Sequence, residues 1–165
     1  MERTGLDSLI SYWNTSLYAR VSPSVLYERL EAEVLSEGIP RVEVTRTFWR
    51  EGGWFSARRE YLRIRWNDLV FDICGFPVGN SFTVSWWLGT IENNVRNLIF
   101  EIPILGTFLE ERFSPVTYYA IDVEASFQRA IHNSVLRVID DLTEENELPR
   151  LAEFEREPFM TEFYE

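Results

Sequence analysis

The chain contains no lysine. All sixteen of its cations are arginine, so Schiff-base chemistry on a lysine amine is excluded, and every positive side-chain charge is a planar guanidinium. It holds one cysteine, Cys74, and one histidine, His132. A single cysteine cannot close an intramolecular disulfide, which suits a reducing compartment. One thiol and one imidazole, with no carboxylates at ligand spacing, make no metal motif. Gly52-Gly53 is followed by neither a lysine nor a G-x-G-x-x-G spacing, so no phosphate loop and no cofactor is implied. No stretch approaches the roughly 18 consecutive apolar residues of a membrane span. The N-terminus lacks a basic region leading into an apolar run and a cleavage site, and the expected location is cytoplasmic.

What is present fits one domain with a real core: 165 residues, 45% hydrophobic and 15% aromatic, a composition that does not describe disorder. The net charge of −11 opposes nonspecific binding to nucleic acid or anionic lipid. That charge is uneven. Residues 41–65 carry seven arginines (Arg41, Arg46, Arg50, Arg58, Arg59, Arg63, Arg65) against three acids (Glu43, Glu51, Glu60), a local +4 that leaves −15 elsewhere.

Leu6, Leu9, Ile10, Trp13 and Leu17 recur at helical spacing and predict a helical extension over residues 1–20. A second helix begins at Ser22, a suitable cap, with Pro23 in its first position, and ends at Gly38 and Pro40. Its inner stripe is Leu26, Tyr27, Leu30 and Val34. The period then changes to two: Val42, Val44 and Phe48 alternate with Glu43, Thr45 and Thr47. The segment YLRIRW-ND-LVFDIC predicts a hairpin turning at Asn67-Asp68. That register sets Trp66 opposite Leu69, Ile64 opposite Phe71 and Leu62 opposite Ile73 on one face. On the other, Arg65 meets Val70, Arg63 meets Asp72 and Tyr61 meets Cys74, so opposite charges and apolar partners both match. Residues 81–89 continue the meander with Phe82, Val84, Trp86 and Leu88 on one side. Val116–Ile121 reads as a last strand. A helix capped by Asp122 follows, with Phe127, Ile131, Val135, Val138 and Leu142 inside.

The expected fold is a two-layer α+β domain: an antiparallel sheet of about five strands, in αββββ-x-βα order, with helices on one face. The domain would span residues 1–148, with an apolar connection at 90–115 and an acidic, aromatic tail at 149–165. In element order it is similar to small sandwich modules such as type III secretion chaperones and RWD domains, a likeness that assigns no site residue.

No catalytic constellation emerges. A Cys74–His132 pair would require both side chains on one side of the sheet. A thiol enzyme or thioester carrier using Cys74 is therefore the second reading. The first is a non-enzymatic interaction module, such as a chaperone, adaptor or accessory subunit, that binds a protein partner or a second copy of itself. Its candidate surface has three parts. One is the arginine and aromatic patch of Trp49, Trp54, Phe55, Arg63 and Arg65. Another is the apolar connection 95–113, carrying Phe100, Ile102, Ile104, Leu105 and Phe108 and broken by Pro103 and Gly106. This segment either covers its own sheet or meets a partner. The last is the tail, with Phe159 and Phe163. Arginines beside indoles also suit a single nucleic-acid strand, a third reading that the overall charge opposes. Interfacial membrane contact through residues 95–113 is weaker still, because Glu101, Glu110 and Glu111 outnumber Arg96 and Arg112.

Overall fold

The computed structural model of the chain describes Leu6 and residues 8–50, 58–91 and 118–160. In chain order its elements are β1 (Ser8–Leu17), α1 (Pro23–Ser36), β2 (Glu43–Arg50), β3 (Arg58–Trp66), β4 (Leu69–Val78), β5 (Ser81–Thr90), α2 (Tyr118–Glu145), a 3-10 turn (Glu153–Glu155) and β6 (Phe159–Met160). The strands make one sheet in the order β2-β3-β4-β5-β1-β6, with every pairing antiparallel. Both helices pack on the same face, giving the expected two-layer α+β architecture.

The order of elements differs from the expected one at both ends. Residues 8–17 form a strand, not a helix. Leu9, Trp13 and Leu17 lie four apart, a spacing that suits either period, but in SYWNTSL the two aromatics and Thr15 favour a pleated strand and the serines and Asn14 are weak helix formers. Ser11, Trp13, Thr15 and Leu17 turn inward and are buried. A register shift between Leu9 and Ser11 accommodates the extra residue Ile10 as a bulge. At the other end, residues 118–121 belong to α2, and Asp122 lies inside the helix rather than at its cap. The place beside β5 that a late strand would fill is already taken by β1. Without the late strand and the leading helix, the element-order likeness to secretion chaperones and RWD domains disappears.

The remaining elements form for the reasons their sequences give. Ser22 Oγ accepts from the Val25 N–H at 3.3 Å, Pro23 opens α1, and Gly38 leaves it with φ +66°. The β3–β4 hairpin turns at Asn67, whose φ is 55°, and its register from Trp66↔Leu69 to Leu62↔Ile73 is the one expected. On α2, Phe127, Ile131, Val135, Val138 and Leu142 are buried against the sheet together with Ile139. The two helices are joined at their solvent edges by the Arg29–Glu145 fork, with N–O distances of 2.7 and 2.8 Å. Arg137 also pairs with Glu33 and Glu37. Such exposed pairs each add little.

The β3–β4 ladder stops at Leu62↔Ile73 and does not run on to Tyr61 and Cys74. Beyond that point Tyr27, from α1, bridges the two strands. Its hydroxyl donates to the Glu60 carbonyl at 2.8 Å and accepts from the Gly75 N–H at 3.0 Å. Burial drives the phenol pKa upward, which keeps the O–H protonated as a donor. A Cβ on Gly75 would come within 2.5 Å of Leu26 Cδ2, so the helix can approach this closely only over a glycine. Arg46 lies over the Tyr27 ring at 4.8 Å and pairs with Glu31 and Glu60 at 3.9 and 3.6 Å.

Replacing Tyr27 with Phe keeps the ring and removes both bonds, leaving the buried Gly75 N–H without this acceptor and the Glu60 carbonyl with only the weak Cys74 S–H. Tyr27→Phe is expected to lower unfolding free energy by about 1–3 kcal/mol in urea denaturation; an unchanged midpoint would show that the bridge carries no stability.

Candidate interaction site

Because side chains alternate along each strand, the register that sends Phe71, Ile73, Val84 and Trp86 to the helices sends a different set to the helix-free face. From β2 come Glu43, Thr45, Thr47 and Trp49, and from β3 Arg59, Tyr61, Arg63 and Arg65. The centre of this face is polar. Arg63 forks onto Asp72, Nε to Oδ1 at 2.7 Å and Nη2 to Oδ2 at 2.6 Å, while its guanidinium lies 5.0 Å from the Trp49 ring. Arg59 lies over Phe76 at 4.6 Å. The Trp87 ring sits between Tyr12 and Tyr61, with centroids 5.6 and 6.1 Å away. Arg65 Nε donates to the Asn67 carbonyl at 3.1 Å.

No described helix lies over this face, yet Val70, Asp72, Cys74 and Ser85 in its middle are buried. Trp49, Phe76, Trp87 and Tyr12 are half-exposed around them, and Arg59 and Thr45 are exposed. The Trp49 indole N–H is buried with no hydrogen-bond partner among the described residues.

Trp49, Arg63 and Arg65 all lie on this face; Arg63 reaches Trp49, while Arg65 stands opposite Glu43 toward the other end of the strand pair. Arg46, grouped with them in the sequence, is on the opposite side, beneath α1. It shares the strand parity of Val44 and Phe48. Trp54, Phe55, Phe100, Ile102, Ile104, Leu105, Phe108 and Phe163 lie outside the described residues, as does the choice between cover and interface for residues 95–113. Phe159 is in β6, opposite Tyr12.

The tail is not a separate appendage after residue 148. Its backbone is held by side chains of the domain: Trp13 Nε1 donates to the Glu155 carbonyl at 2.8 Å, and His132 Nε2 meets the Arg156 carbonyl at 2.6 Å. Arg156 in turn forks onto Asp140 with a shortest N–O distance of 2.6 Å, and β6 pairs with β1 at Ser11 and Tyr12. Sequence reasoning did not find Trp13, Trp86, Asp140 or Arg156. The one available signal was a lone histidine beside the buried Ile131 stripe, which needs polar partners inside the fold.

Cys74 and His132 are separated by the sheet. Cys74 shares the strand parity of Asp72; its thiol is buried, lies 3.8 Å from the Glu60 carbonyl and reaches the Tyr27 hydroxyl of α1, whereas the imidazole on α2 is held between Trp86 and Arg156. No nucleophile–base contact is possible in this arrangement. Among the described residues no group of three or more side chains could hold a metal ion, and no described helix is long and apolar enough to cross a membrane.

Two measurements check this geometry. Arg63→Ala strands the buried Asp72 carboxylate and is expected to cost about 3–5 kcal/mol in chemical denaturation, more than the paired Arg63→Met, Asp72→Leu replacement. An equal or smaller loss would contradict the pair's burial. Cys74 is expected to react with iodoacetamide only as fast as the protein opens, much more slowly than a model peptide; reaction at the peptide's rate would revive the thiol reading. No family model, curated protein or solved structure matches this chain, so the functional reading rests on the chain's own chemistry.

Proposed function

We propose that the chain is a non-enzymatic protein-interaction module, an adaptor, chaperone or accessory subunit, that binds an acidic, aromatic polypeptide on the helix-free sheet face. The observation that carries this reading is a cluster of aromatic rings on that face with three arginines among them, in a chain whose net charge is −11. Arg59 and Arg63 are laid over Phe76 and Trp49, and Trp87 is flanked by Tyr12 and Tyr61. Aromatic residues and arginine are the types enriched at protein interfaces. A guanidinium held over a ring is already oriented to receive a carboxylate in its plane.

The nucleic-acid reading has less support. With Arg46 on the other side, the described part of this face holds Arg59, Arg63 and Arg65 against Glu43 and Asp72, a sum of only +1. Arg63 is committed to Asp72, and the field of the whole molecule opposes a strand charged at every nucleotide more than a polypeptide whose acids alternate with rings.

A random copolymer of glutamate and tyrosine is a suitable probe at moderate salt. Binding is expected, and Arg59→Glu with Arg65→Glu should weaken it by about tenfold or more. Light scattering should then report a defined complex rather than a free monomer. Salt-dependent binding of an oligothymidylate in place of the copolymer would favour the nucleic-acid reading. Copolymer binding indifferent to the two substitutions would reject this face as the site.

A further inference from the structure

On the opposite side of the molecule, backbone carbonyls of the C-terminal segment 152–160 are gripped by side chains of the domain. Trp13 and His132 donate to the consecutive carbonyls of Glu155 and Arg156. The only ladder contacts are Ser11↔Met160 and Tyr12↔Phe159. Pro158 comes next along the strand and has no N–H to extend them. Among the described side chains of the segment, Arg156 is also anchored, on Asp140. Among the described residues nothing else pairs with the outer edge of β1.

The protonation state of His132 is set by its neighbours. An indole N–H can only donate, and Trp86 Nε1 points at His132 Nδ1 from 3.1 Å. Nδ1 must therefore be bare, and the ring's one proton sits on Nε2, where it meets the Arg156 carbonyl. Trp13 and Trp86 contact the ring edgewise, with centroids at 5.1 and 5.5 Å. A second proton would oppose the Trp86 N–H, donor against donor. The charged groups around the ring are few. The tail presents Arg156, itself paired with Asp140 of α2, and Glu155, whose carboxylate accepts from the Ala152 N–H at 2.8 Å. β1 and β5 present the Trp13 and Trp86 indoles, and their other inward polar groups, Ser11 and Thr15, are uncharged.

We infer that residues 152–160 are an acid-released latch, held on the β1 edge by neutral His132 and let go when the ring takes up a second proton. The imidazolium cannot keep the Trp86 bond, so the ring leaves its slot and takes with it the donor that holds the Arg156 carbonyl. Release uncovers the Trp13 indole and the open backbone of β1, a strand edge able to accept an extended segment of another chain. Burial, opposed by the Arg156 carbonyl bond and aided by the Arg156 charge, holds the His132 pKa below its ordinary 6.5 in the latched form. Above that value the ring is neutral in both forms and the latch is at full strength. As pH falls below it, the released form protonates first, and opening rises by up to about tenfold per pH unit until the latched pKa is reached. This inference does not depend on the helix-free face, which lies across the sheet.

Amide hydrogen exchange of the intact chain, corrected for intrinsic rates and read about one unit above and one unit below 6.5, tests it. In the wild type, the protected amides of residues 152–160 and of the β1 edge should open up to about tenfold more at the lower pH, while Ile64 and Phe71 stay protected. His132→Gln, whose amide can accept from Trp86 and donate to Arg156 but cannot titrate, should remove that difference. Asp140→Asn should raise exchange at both pH values and keep their ratio. A flat wild-type response, the same response in His132→Gln, a ratio lost in Asp140→Asn, or a rise that includes Ile64 and Phe71 would each overturn the latch.

Discussion

The helix side of the molecule depends on Trp13 lying opposite Trp86 across the β1–β5 ladder. That pairing places the first strand of the chain next to the last strand of the meander. The chain must then cross β5, β4 and β3 to begin β2 at the far edge, and α1 makes that crossing. The same pairing puts two indoles side by side under α2, where they enclose His132 and hold the tail. It also occupies the position a strand at residues 116–121 would have needed. The β-prone Tyr118, Tyr119 and Ile121 are instead carried, exposed, in the first turn of α2.

A sheet covered by helices on one side only has two different surfaces. On the helix side, the Tyr27 hydroxyl is taken up between Glu60 and Gly75 and the His132 ring between Trp86 and Arg156, while the Ser11 hydroxyl is buried with no partner among the described residues. On the other side, charge and aromatic rings share the surface, with the Arg63–Asp72 fork at its centre. Burial of that fork makes it expensive to break without making it a source of net stability. Its most direct effect is orientation, since it holds one guanidinium flat against Trp49. The binding proposed for the helix-free face and the tail attachment on the helix side are thus divided by the same sheet, and neither requires a catalytic group.

Much of the fold could be read from the residues because independent signals agreed. In the β3–β4 hairpin, the turn residues, the apolar pairs and the Arg63–Asp72 charge pair all specify one register. α1 was legible from its cap, its proline and its glycine. β1 was not, because a spacing of four fits a strand as well as a helix, and inward-facing Ser11 and Thr15 blur the alternation. Arg46 was placed with Arg63 and Arg65 by composition, although its alternation with Thr45 and Thr47 already set it beside Val44 and Phe48. The tail's attachment left almost no trace in the sequence. Its anchors are the carbonyls of Glu155 and Arg156, which any residue would provide, so side-chain chemistry could not announce them.

The central claim is that partners meet the helix-free face. Site-specific photocrosslinking from within the sheet tests it most directly. A benzophenone side chain at exposed Thr45 should capture a polypeptide in the cells that make this protein, while the same group at Glu28, exposed on α1, should not. Capture from Glu28 with none from Thr45, or equal capture from both, would contradict the account.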